Sequence, residues 1–399
     1  MDVAGAGLSL SLLAGRDFVQ AQDVSASVDG GVLRVSAVRD ATVESMIAGT
    51  GVVWLQAVDV VDGDAAGDTE SDVQAYALVL AASGGTGSGD NALETTIDVL
   101  AGSGAAAGIF VTETDALSFD EVDFSVLGVL ENGTAALSGP FSDAGLRGDD
   151  IVVRTVAGNL SSEAVGTVSA TGNLRLATAS GYDITLAGAI TNDGGSTTID
   201  SGGELALDAS ITASATGETI ELVAAPGIVQ AQGTAVTSAD GAIVLRATED
   251  ITTEALDAGT ASVRIEGASV LDGDAAGDAE VDIAAGGLLI AATGSVAATG
   301  AALETSVSRI TAMAEGDIFV TETDGVEVGQ VDVTVRSVGE DGTATAVVLD
   351  NQSVLQGATI VLRARTGRST SWRAAPCRRR ATCCWRPAAP TATCRCSPT

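Results

Sequence analysis

Histidine and lysine are absent from the 399 residues, and aromatic side chains make up only 3% of them. Without His there is no His-based triad, no imidazole metal ligand and no imidazole acid–base catalysis. Without Lys there is neither a Schiff base nor a phosphate-loop lysine. No apolar run reaches the roughly 18 residues that a transmembrane helix needs. Too few rings are present to anchor a core, so any core must be built from small β-branched and aliphatic residues. The hydrophobic share of 46% is nevertheless too high for a disordered acidic chain, which fails to fold for want of apolar surface to bury.

What is abundant is negative charge, with 53 acidic residues against 19 Arg and a formal net charge of −34. Such a body repels nucleic acid and anionic lipid, attracts cations and favours solubility. The apolar stretch Gly7 to Gly15 (GLSLSLLAG) alternates with period two, follows no cationic segment and has a counterpart deeper in the chain. It is therefore read as a strand and not as a signal sequence, and the chain is expected to begin within a longer protein.

A long internal repeat organises the sequence. Val19-Gln20-Ala21-Gln22, Asp62 to Asp68 (DGDAAGD) and Ala92-Leu93-Glu94-Thr95 recur at Val229, Asp272 and Ala302, all at an offset of 210. Ile109 to Asp115 (IFVTETD), Glu131 to Ala135 and Ile151 to Arg154 recur at Ile318, Glu340 and Ile360, at an offset of 209. One collinear register thus runs from about Ser9 to Arg363. The division read from it is a first long repeat over 1–157, linking rungs over 158–218, a second copy over 219–366 and an aberrant tail over 367–399.

Within each unit a shorter pattern, apolar-x-apolar-x-small, marks one-sided strands. It occurs at Leu33 to Ala37, Leu174 to Ala177, Leu205 to Ala209, Ile220 to Ala224, Ile243 to Ala247 and Val263 to Gly267. The anchors Leu205, Ile220, Ile243 and Val263 follow one another at short, irregular steps. Gly, Asp and Asn cluster between them as turn residues. No helical periodicity is present. The expected fold is all-β, a right-handed parallel β-helix of short strands, with tandem β-sandwich modules as the alternative. Small inward residues suit a narrow coil, whereas a sandwich usually wants a buried Trp or Tyr. Trp54 sits at an outward position of the signature, opposite Arg264 in the repeat.

The tail breaks this pattern. All five Cys lie in it (Cys377, Cys383, Cys384, Cys394 and Cys396), with four of the six Pro. Residues 351–399 carry nine Arg and no acid, leaving −43 on the remainder. The Cys spacing matches no zinc motif. Back-translated with GC-rich codons and read one frame over, Trp372 to Arg386 spells VEGGAVSATGDVLLE, which resembles Ala164 to Leu176. The tail is therefore expected to be a frameshifted, unstructured segment.

Three candidate sites stand out. Asp62, Asp64 and Asp68, with their copies Asp272, Asp274 and Asp278, could offer hard oxygen ligands to Ca²⁺ from a Gly-rich loop. The loop lacks the continuation and bidentate Glu of an EF-hand, so the competing reading is an acidic turn. The Thr-Glu-Thr-Asp segments at Thr112 to Asp115 and Thr321 to Asp324 carry the paired acids of glycosidase chemistry. The simpler reading places them on the solvent face of a strand. Arg34, Arg154, Arg175, Arg246 and Arg363 form either a basic stripe or outward residues paired with neighbouring acids. No catalytic or cofactor-binding residue is identified.

The rungs GNLRLATASGYDITLAGAITNDGG, GGELALDASITASATGETIELVA and GAIVLRATEDI resemble the haemagglutination-type repeats of filamentous haemagglutinins and related giant bacterial adhesins. The unit bearing DGDAAGD, ALET and IFVTETD is similar to units of very long β-strand-repeat surface proteins. The resemblance spans about Ser9 to Arg365. It implies a right-handed β-helix, export to the bacterial cell surface and a structural or adhesive role in attachment or biofilm. The partners it implies are a host or neighbouring-cell surface, a glycan or a matrix, without catalysis. The alternative is a β-helix that binds or degrades polysaccharide, a role to which the scarcity of aromatics and the lack of Lys are poorly suited.

Overall fold

The computed structural model describes residues 1–64, 67, 69–274, 280–365, 381–384 and 393–398, the last two stretches as backbone only. It is an all-β parallel solenoid of about 13 turns, as the alternation predicts, with no helix among the described residues. The chain divides into a unit of residues 1–195 with 338–343 and a unit of residues 196–337 with 344–399. The division falls inside the 158–218 rungs.

In the first unit each coil stacks on the next through parallel backbone hydrogen bonds. Leu10 is in register with Leu33, Leu33 with Val53, Val53 with Leu78 and Leu78 with Leu100, so the length of a coil varies from turn to turn. Period-two alternation points these residues into the coil, where Leu33, Val53, Leu78 and Leu100 are wholly buried. Parallel stacking sets like residue on like, so the apolar residues of each strand form a ladder along the coil interior. Corners are as tightly stacked as strands. A Cβ on Gly31 would lie 1.9 Å from the Leu8 carbonyl oxygen, and one on Gly51 equally close to that of Gly31.

The second unit repeats this design with Ile220, Ile243, Val263, Leu288 and Ile310 as one interior ladder. Leu205 pairs instead with Ile228 on the second strand of its coil. The short step from Leu205 to Ile220 is thus a path within a coil and not a coil period. At the end of the described chain, strands Ala381–Cys384 and Thr393–Pro398 pair antiparallel, the latter also with Ile360–Ala364.

One element was not expected. Between Ile109 and its register partner Ile151 the coil is nearly twice as long as its neighbours, because strands Glu121–Val129 and Ala135–Ala144 leave it as an antiparallel hairpin. Its Val122, Phe124 and Val126 cover Val32, Val52, Trp54 and Val79 on the outside of the coil, a second small core. Trp54 does face outward from the coil, but the hairpin leaves it only 8% exposed. Its ring meets Phe124 edge-on at 5.0 Å and 70° and lies 4.9 Å from Phe141, with the Arg34 guanidinium 4.5 Å from its centroid. In the second unit Val331, Val333 and Val335 cover Ala242, Val244 and Leu289 in the same way.

Candidate metal centres

The coil brings acids together from neighbouring turns. Strand Val60–Asp62 ends in Asp62; Asp72 stands immediately before strand Val73–Ala82; Glu94 is the second residue of strand Leu93–Gly104. Because Val73 is in register with Thr95, Asp72 and Glu94 are stacked neighbours, and the Glu94 amide donates to Asp72 Oδ2 at 2.9 Å. Asp62, Asp72 and Glu94 each place a carboxylate oxygen within 4.8 Å of the others. Asp62 is 6% and Asp72 1% exposed.

The turn before contributes Glu44, itself buried. The buried Gln20 side chain accepts from the Glu44 amide at 3.1 Å and donates to the carbonyls of Val24 and Ser45. This gives the repeated Val-Gln-Ala-Gln motif its structural role, a clamp on the corner next to the acids. Glu44 Oε1 accepts from the Asp23 amide at 2.9 Å. Glu44 Oε2 and Asp72 Oδ1 are buried with no hydrogen-bond partner among the described residues.

The second unit rebuilds the arrangement. Asp272, Asp274 and Asp282 form one group within 4.8 Å, and Glu254, Asp274 and Glu280 another. The Glu304 amide donates to Asp282 Oδ2 at 2.6 Å, and Gln230 holds the Glu254 amide at 3.1 Å. Asp282 is fully buried; its Oδ1 and Glu254 Oε2 lack a partner among the described residues. Here Arg365 also reaches Glu304, at 3.3 Å.

Burial, reinforced chiefly by the charge of Asp62, pushes the Asp72 carboxyl up to about 9. Burial and the charge of Asp272 push Asp282 up to about 8. A carboxylate as buried as Asp72 or Asp282, with like charges beside it, demands a proton or a cation.

Of the residues expected as ligands, Asp62, Asp64, Asp272 and Asp274 belong to these corners. Asp64 and Asp274 turn their amides onto Asp62 Oδ1 and Asp272 Oδ1 at 2.8 and 2.9 Å. Asp68 and Asp278 lie outside the described residues. Glu44, Asp72 and Glu94, with Glu254, Asp282 and Glu304, were missed, although each pair obeys the 210 offset.

The Thr-Glu-Thr-Asp acids do not share the solvent face expected of them. Ile109, Val111 and Glu113 alternate inward together, so Glu113 is wholly buried while Asp115 is exposed; Glu322 and Asp324 repeat this. Glu113 accepts from Thr95 Oγ1 at 2.6 Å and from the amides of Ile97 and Asp115. The signature arginines are engaged singly: Arg34 with Gln56, Arg246 with Glu221, and Arg154 with Glu340 at 3.0 Å.

No protein-family model, curated protein or solved structure matches the chain.

Proposed function

We propose that the chain is a structural and adhesive repeat segment of a large exported bacterial surface protein, acting in attachment and biofilm without catalysis. The observation that carries this reading is the long unit present in two copies, each built of the same stacked coils. Such a design lengthens by adding coils, about 4.8 Å apart, that contact only their neighbours. The resemblance of its rungs to haemagglutination-type repeats points the same way. The paired acids that invited a hydrolytic reading are split, one sealed in the coil and one in solvent, so they do not flank a common substrate. Deleting the coding region from the source organism tests the proposal. Attachment to surfaces and to neighbouring cells is expected to fall while growth is unchanged. Full attachment by the deletion strain would count against an adhesive role.

A further inference from the structure

We infer that the chain binds two calcium ions, one at Asp62, Asp72 and Glu94 and one at Asp272, Asp274 and Asp282, each at the same corner of the coil. This goes beyond the adhesive reading and does not depend on it. Three observations carry it.

The first is geometry. Oxygens ligating Ca²⁺ at 2.3–2.6 Å stand at most about 5 Å apart across the ion. Each set of three carboxylate oxygens lies within 4.8 Å. The second is the unsatisfied chemistry of the corner. Asp72 is 1% and Asp282 0% exposed, and the Oδ1 atom of each lacks a hydrogen-bond partner among the described residues. Glu44 Oε2 and Glu254 Oε2, on the turn before, are in the same condition. Orphaned buried oxygens converging on one place call for a donor or a cation. Only a hard cation neutralises several at once.

The third is the pattern of what the two copies share. Glu44, Asp62, Asp64, Asp72 and Glu94 are all acidic again at Glu254, Asp272, Asp274, Asp282 and Glu304. Of the other acids in the same span, Asp40, Asp68 and Glu70 are kept as Asp250, Asp278 and Glu280, but six are not: Asp59, Asp90 and Asp98 become Ser269, Gly300 and Ser308, and Asp17, Asp23 and Asp29 become Gly227, Gly233 and Ala239. Every acid of the corner is kept, although repulsion between buried charges would otherwise favour its loss.

Bound calcium would join the turn that carries Asp62 and Asp72 to the next turn through Glu94.

The test uses the full chain, stripped with a chelator and titrated with CaCl₂ by calorimetry at physiological salt, with thermal unfolding in calcium and in chelator. Two ions per chain and a higher Tm in calcium are expected. Loss of a partner that merely orients a ligand already weakens metal binding about 10–100-fold. Asp72→Asn with Asp282→Asn should therefore weaken both sites by at least that much. The double variant keeps its fold in chelator, because Asn preserves size and still accepts the Glu94 and Glu304 amides. Undiminished binding in that variant would place the ions elsewhere and overturn the inference, as would no saturable binding by the wild-type chain. Equal affinity for Mg²⁺ would overturn the assignment to calcium. Asp98→Asn, exposed further along strand Leu93–Gly104, is the control expected to change nothing.

Discussion

Replacing Phe124 with Ala tests whether the hairpin Glu121–Ala144 is a flap docked on the coil. Phe124 is 8% exposed, its ring 5.0 Å from Trp54 and 5.6 Å from Phe141. Truncating a buried Phe costs about 3–5 kcal/mol, and each aromatic pair contributes roughly 0.5–1.5 kcal/mol of that. A two-stranded hairpin is marginal by itself, so a loss of about 4 kcal/mol falls on docking. The interior ladder of Leu33, Val53, Leu78 and Leu100 does not include Phe124 and should stand. Trp54 is the natural reporter, since Trp372→Phe and Trp385→Phe leave it the sole tryptophan. The expected result is a red-shifted Trp54 emission, open to acrylamide quenching, with far-UV circular dichroism and the main unfolding transition nearly unchanged. A Trp54 still shielded, or a coil that unfolds with the hairpin, would refute the reasoning.

Three further outcomes are expected. Burial pushes Glu113 and Glu322 each up to about 7; the folded chain then holds protons that the unfolded chain, near 4.5, releases. Their stabilisation is fully present below pH 4.5 and lost as pH rises through about 7, at most about 3 kcal/mol per site. Denaturant unfolding in chelator at pH 5 and pH 8 should show this fall, to which the raised Asp72 and Asp282 also contribute, and Glu113→Gln with Glu322→Gln should lessen it; an undiminished fall would contradict it. Leu78→Ala, at a fully buried rung, should destabilise by about 2–5 kcal/mol, read as a lower denaturant midpoint at unchanged m. Gly51→Ala, whose Cβ would lie 1.9 Å from a backbone oxygen, should lower Tm more than Gly15→Ala, which meets nothing within 4 Å.

The fold class was legible because parallel stacking repeats one rule at every turn: alternate apolar residues point inward and Gly or Asp turns the corner. The hairpin was not read from the sequence, though Asn132-Gly133 between alternating Val122-Asp123-Phe124 and Ala136-Leu137 is a hairpin signal. Its repetition at Asp341-Gly342 drew attention to the repeat instead. Trp54 faces outward from the coil as its place in the signature predicts, but it is not the exposed, non-core residue that position suggests: a hairpin far downstream makes it part of a second core. The acid corner was only half legible. Asp62 and Asp64 stand out as neighbours in one motif, whereas Asp72, Glu94 and Glu44 reach them only through coils of unequal length. No fixed spacing reveals such a set; stacking does. Glu113 was misplaced because its charge was weighed above the alternation of Ile109 and Val111.

We propose that this solenoid works outside the cell, as part of a surface structure. Labelling intact cells of the source organism with antibodies raised against the purified chain tests it most directly. The account predicts strong labelling of unbroken cells, removed by brief protease treatment. Labelling that appears only after lysis would contradict it.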